Sequence, residues 1–85
     1  MGGSLDSGIA FGKVLRKLRL EAGLTQEQFG FGADLRRTYV SILELGQQQP
    51  SLTTIFKIAK VLDIPASKLI DLVEREINST SRRRV

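Results

Sequence analysis

Four consecutive side chains, "RRTY" at residues 36–39, are the part of this sequence best suited to contacting another molecule. An arginine guanidinium can donate two hydrogen bonds to a phosphate or to the O6 and N7 atoms of guanine. Val40 and Leu43 follow at positions that face a core. A helix that is anchored on one side and polar at its N-terminal tip meets the physical requirement for reading the DNA major groove. On composition alone, a solvated helix start fits these four residues equally well.

The composition narrows the classes of function. The chain has 85 residues, a formal net charge of +4, and neither cysteine nor histidine. Disulfides, thiolate or imidazole metal sites and histidine acid–base catalysis are therefore excluded. The acidic residues form no pair with a nucleophile or base, so we expect no enzymatic activity, cofactor, metal or small-molecule ligand. The positive charge modestly favours a polyanionic partner.

The hydrophobic pattern predicts no membrane span and no signal peptide, so we expect a cytoplasmic protein. Apolar residues recur at helical spacing in five segments, and none alternates at the period of a strand. Short loops between short helices predict a compact all-α domain. The predicted helices run from Ile9 to Ala22, from a cap at Thr25 to the turn "GADL", from Arg36 or Arg37 to Leu45, from a cap at Ser51 to "DIPAS", and from there to about Ile77.

Local signals mark the ends of these helices. Gly23 and Gly46 are expected to end the first and third helices in left-handed conformation. Thr25 and Gln28 have the spacing of a capping box. The fourth helix should bury Leu52, Ile55, Ile58, Ala59 and Leu62, and the fifth Leu69, Ile70, Val73 and Ile77. The chain is thus expected to comprise a flexible segment (1–8), a helical domain (9–77) and a basic tail (78–85).

The second helix contains two glycines, Gly30 and Gly32, each of which costs roughly 0.5–1 kcal/mol in a helix interior. The neighbouring Phe31 is expected to be partly exposed. Helix propensity gives no reason for either glycine.

The stretch from "LRKLRLEAGLTQEQF" through "LRRTYVSILELGQQQPSL" to "KVLDI" resembles the phage-repressor-like (Xre/Cro type) helix-turn-helix family, most closely its restriction–modification controller proteins. The resemblance spans residues 9–73 and implies a five-helix repressor-like DNA-binding domain that regulates transcription. It also implies that Gly30 occupies a small-residue position facing the third helix. Asp34 stands where relatives commonly have glycine, and Arg36 where they have a cap. Asp34 therefore either caps the third helix or that cap is absent.

Carried over position by position, the resemblance assigns base reading to the third helix and phosphate contacts to its surroundings. It also implies an ion pair between Arg19 and Glu44. Tyr39 is expected either to contact DNA or to pack against a loop, and the glutamines of residues 47–49 either to clamp a phosphate or to form an ordinary loop. The base-reading set is Arg37, Thr38, Tyr39, Ser41 and Ile42; the phosphate set is Gln26, Arg36, Gln47, Gln49, Ser51 and Thr53.

The resemblance further implies a homodimer on a two-fold symmetric operator, with autoregulation of the controller type. The expected interface lies on the fifth helix and comprises Ile64, Leu69, Leu72, Val73 and Glu76. The tail "RRRV" is expected to be a disordered end, with direct DNA contact as the alternative. The sequence also fits an alternative function, because exposed Phe31, Leu45 and Leu72 suit an antitoxin-like or adaptor module that binds protein.

Overall fold

Five α-helices make up the part of the chain that the computed structural model describes, the backbone of residues 6–83 and the side chains of residues 6–79. No strand occurs in that range, which confirms the all-α prediction. The helices are α1 (Ser7–Glu21), α2 (Gln26–Ala33), α3 (Arg37–Glu44), α4 (Leu52–Leu62) and α5 (Ala66–Arg83).

Two helices are longer than predicted. α1 includes Ser7 and Gly8, which the sequence placed in a flexible segment. Gly8 is buried, and a Cβ atom at this position would lie 3.5 Å from the carbonyl oxygen of Gly46 in the loop after α3. α5 continues past Ile77 to Arg83 because no glycine or proline interrupts it. Residues 1–5 and 84–85 lie outside the described range, as do the tail's arginine side chains.

The helices form a closed ring around one core, each packing mainly on two others. α1 packs on α3 and α5, α4 packs on α2 and α5, and α2 packs on α3. This arrangement leaves one face of every helix exposed to solvent. The largest fully buried side chains come from all five helices: Leu15, Phe29, Val40, Leu43, Ile58 and Leu69.

Two predicted core residues are exposed instead. Leu52 is 69% exposed and Ile70 is 45% exposed. Both lie at the edge of their helices' apolar stripes, where ring packing brings no neighbour. Thr54 is buried on α4, and its polar groups are satisfied there because its backbone N–H and its hydroxyl both bond to the capping hydroxyl of Ser51 at 3.1 Å.

The predicted helix ends are confirmed. Gly23 and Gly46 each have φ of 75° and lie just beyond α1 and α3. The Thr25 hydroxyl accepts from the Gln28 N–H at 3.0 Å, and the Gln28 side chain accepts from the Thr25 N–H at 2.9 Å. Asp34 ends α2 with φ of 58° and does not cap α3. Arg36 is the N-cap residue of α3 and makes no side-chain cap, so the cap is absent.

Gly30 and Gly12 are points where one backbone touches another. A Cβ atom on Gly30 would lie 2.5 Å from the carbonyl oxygen of Leu35, in the turn that leads into α3. A Cβ on Gly12 would lie 2.5 Å from the carbonyl oxygen of Leu43. Gly30 and Gly12 therefore let α2 and α1 approach α3 closely. Gly32 differs, since its nearest neighbour would be a Val61 methyl group at 3.4 Å.

This difference gives a matched pair of substitutions on one helix. Gly30→Ala is expected to lower the free energy of unfolding by about 1–3 kcal/mol, because the backbone must shift to admit the methyl group. Gly32→Ala is expected to raise it by about 0.5–1 kcal/mol through helix propensity. Urea unfolding of both variants measures the contrast. Equal effects of the two substitutions would contradict the close approach at Gly30.

Candidate nucleic-acid interface

Helices α2 and α3, joined by residues 34–36, form a two-helix unit with one outward face. Val40 and Leu43 are fully buried and hold the inner face of α3 to the core. Arg36, Arg37 and Thr38 are all exposed at its N-terminal tip. Neither arginine forms an ion pair with any residue in the described range, so their guanidinium donors are available to another molecule.

The other three side chains in the base-reading set are less accessible. Ser41 and Ile42 are half-buried along the middle of α3. Tyr39 is also half-buried and packs against the core cluster, which leaves part of its side chain on the surface. The freely accessible part of α3 is therefore its first turn.

A nearly buried carboxylate ties α1, α2 and α3 together. Glu44 accepts from Arg19 Nε at 2.5 Å and from Arg19 Nη2 at 3.1 Å, a two-point contact between side chains that are 3% and 7% exposed. Arg19 Nη1 also donates to the Leu24 carbonyl at 2.8 Å. The hydrogen bond to Glu44 raises the pKa of Arg19, whereas burial alone would lower it. The pair thus fixes the C-terminal end of α3 against α1.

The same carboxylate also binds Gln26, which the sequence assigned to phosphate contact. Gln26 Nε2 donates to Glu44 Oε1 at 3.0 Å, and Arg16 Nη1 lies 4.0 Å from that oxygen. Sequence reasoning missed both interactions. Arg16 lies one helical turn before Arg19 and gives no separate signal in a helix rich in basic residues.

The family model described as helix-turn-helix matches residues 15–69, which include all of α2, α3 and α4. The chain belongs to the helix-turn-helix family. Control protein C.MunI of Mycoplasma sp is 43% identical over 72 residues, which cover 84% of this chain and 97% of that protein. Control protein C.BamHI of Bacillus amyloliquefaciens is 39% identical over 64 residues, covering 74% of this chain and 79% of that protein.

Solved structures show the same helix-turn-helix architecture. The restriction-modification controller protein C.AhdI from Aeromonas hydrophila superposes with a TM-score of 0.69 at 44% identity, covering 72% of this chain and 92% of that one. A variant of C.Esp1396I bound to its highest affinity operator site, OM, superposes with a TM-score of 0.76 at 27% identity. That match covers 88% of this chain and 97% of the other.

The remaining residues of the phosphate set flank the helix-turn-helix. Gln47, Gln49, Ser51 and Thr53 are all exposed between α3 and the first turn of α4. The Ser51 hydroxyl already caps α4, so its backbone is the group left to meet a phosphate. These residues and Arg36 lie at opposite ends of α3.

The predicted dimer residues separate into two groups. Leu69 is 0% exposed and Val73 is 8% exposed, so they hold α5 to its own core and cannot face a partner. The sequence assigned both residues to the buried stripe of α5 as well as to the interface, and their burial agrees with the first of these assignments. Ile64, Leu72 and Glu76 are half-buried. Leu72 and Glu76 line a groove of about 400 Å³ between α1 and α5.

Across residues 6–83, every helix is too short or too polar to span a membrane. Among the side chains of residues 6–79, no three acidic groups lie close enough together to hold a metal ion.

Proposed function

We propose that this helix-turn-helix protein binds double-stranded DNA in a sequence-specific manner and regulates transcription. The observation that carries the proposal is the division of α3 between a fully buried apolar face and an exposed tip of Arg36, Arg37 and Thr38. Relatives that cover most of this chain are control proteins. A structural relative binds an operator.

In this proposal α3 enters the major groove, and the residues divide between positioning and reading. Arg36 and the exposed residues of the loop after α3 contact phosphates on either side. Arg37 donates its two parallel bonds to a guanine, and Thr38 offers its methyl group to a thymine. The exposed parts of the Tyr39, Ser41 and Ile42 side chains face the groove. No cofactor is needed, and the protein acts in the cytoplasm.

We further propose that the regulator is a homodimer, because two half-sites about 34 Å apart are read by two copies of one helix. The exposed apolar side chains suited to this contact are Leu52 and Phe56, one turn apart on α4, and Ile70 on the adjoining α5. Ile64 lies in the connection between these helices. With such an interface, the protein's own concentration sets operator occupancy, which is the physical basis for autoregulation.

Selection from randomised duplexes tests the function directly. The purified protein is expected to enrich a two-fold symmetric site, with affinity that falls steeply with salt. Weak, salt-dependent binding without enrichment would indicate a non-specific DNA binder. Absence of salt-dependent binding would favour a protein-interaction module, for which the 90% exposed Phe31 is the foremost contact.

Phe56→Glu and Phe31→Glu form a matched pair for the dimer. Phe56→Glu is expected to weaken self-association by at least about tenfold, because it places a charge in an apolar interface. Phe31→Glu introduces the same charge on α2 and is expected to leave self-association unchanged. Sedimentation equilibrium measures both. If only the Phe31 variant loses self-association, the interface lies on α2.

A further inference from the structure

Arg16 stands out among the basic residues of α1 because of where it lies. Gly12, Arg16 and Arg19 are spaced four and three residues apart and therefore share one edge of the helix. Gly12 touches the last turn of α3, and Arg19 binds Glu44 in that same turn. Arg16 thus lies on the edge of α1 that faces the helix-turn-helix.

Lys13 and Lys17 have a different environment. Both line the groove between α1 and α5, together with Leu72 and Arg75. They carry the same charge as Arg16 on the same helix, but toward α5 instead of α3.

Arg16 is held loosely in this position. Its side chain is 62% exposed, and the separation between Arg16 Nη1 and Glu44 Oε1 is 4.0 Å, beyond hydrogen-bond length. Glu44 is already neutralised by the bidentate contact with Arg19. Together, Arg16, Arg19 and Glu44 therefore have a net positive charge. Arg16 is the one of the three whose charge is exposed to solvent.

Gln26 shows that the positive charge of Arg16 lies beside the start of α2. Gln26 Nε2 lies 3.0 Å from the same Glu44 oxygen, so the Gln26 amide and the Arg16 guanidinium are neighbours. In a helix-turn-helix the first helix of the unit crosses the DNA backbone. We propose that Arg16 is a phosphate ligand that, beside the Gln26 side chain held by Glu44, binds the DNA backbone at the start of α2. This inference rests on the proposed DNA-binding function.

The slope of operator affinity against salt measures the contact. Each neutralised phosphate adds about 0.9 to the slope of log affinity against log salt concentration. Arg16→Gln is expected to lower that slope by about one. Between about 50 and 200 mM salt, the wild type then loses about threefold more affinity than the variant. Lys13→Gln, the matched control, is expected to leave the slope unchanged.

Single methylphosphonate substitutions locate the phosphate without altering the protein's fold. One methylphosphonate, at the DNA position that faces the start of α2, is expected to weaken binding by the wild type. The same substitution is expected to leave binding by Arg16→Gln unaffected. Arg16→Lys keeps the charge and is expected to retain the slope. Equal slopes for wild type and Arg16→Gln, or equal losses in the Arg16 and Lys13 variants, would overturn the assignment. Failure of the wild type to bind any operator would instead defeat the proposed function.

Discussion

Glu44→Ala is expected to lower the free energy of unfolding by about 3–5 kcal/mol. The substitution leaves the Arg19 guanidinium, whose side chain is 7% exposed, without its carboxylate partner. One hydrogen bond to the Leu24 carbonyl remains. A buried charge with so little compensation is costly, and Gln26 loses its acceptor as well.

Chemical unfolding of two further variants isolates this effect. Asp71→Ala breaks an exposed pair with Arg75, whose side chains are 42% and 72% exposed, and is expected to cost less than about 0.5 kcal/mol. Arg19→Met combined with Glu44→Leu removes both charges and is expected to recover most of the loss. A cost near that of Asp71→Ala would show that Arg19 and Glu44 are not coupled. If the double variant does not recover the free energy of unfolding, the loss in Glu44→Ala arises from packing and not from an unpaired charge.

Arg37→Ala is expected to reduce operator affinity by about 1–3 kcal/mol and to remove the preference at one base pair in each half-site. The physical reason is the bidentate fit of a guanidinium to guanine, which alanine cannot replace. Arg37 is exposed and unpaired in the described range, so its loss leaves the fold unchanged. Duplex selection and binding titrations with the variant measure both quantities.

Arg36→Ala is the matched comparison, one residue earlier with the same side chain. Arg36 is proposed to contact a phosphate, so its loss is expected to weaken all sequences equally and to lower the salt slope by about one. Reversal of the two patterns would exchange the roles of Arg36 and Arg37. A uniform loss in both variants would show that Thr38 and its neighbours carry the specificity.

The elements of the fold were predictable where a signal lies within a few residues. The capping box of Thr25 and Gln28, the Ser51 cap and the glycines after α1 and α3 each act over one turn, and all appear as expected. The Arg19–Glu44 contact, between residues 25 apart, was implied by family resemblance alone. Periodicity identifies helices and carries no information about which distant residues meet.

The errors have the same origin. Leu52 and Ile70 fit the same apolar stripes as buried residues such as Leu69 and Val73, and only the ring packing decides which of the four are buried. Arg16 and Gln26 converge on one Glu44 oxygen because three helices meet there. Gly12 resembles an ordinary weak position in a helix until the backbone of α3 is placed against it.

The two faces of α3 have a consequence for how such a regulator can change over evolutionary time. Val40 and Leu43 constrain the fold, whereas Arg36, Arg37 and Thr38 are exposed and contribute little to stability. Substitutions at exposed positions of this kind usually change stability by less than about 0.5 kcal/mol. In the proposed binding mode, operator preference can therefore drift through Arg37 and Thr38 without loss of the folded domain. When one cell holds two copies of the gene, a few substitutions in the first turn of α3 can give two regulators that do not bind each other's sites.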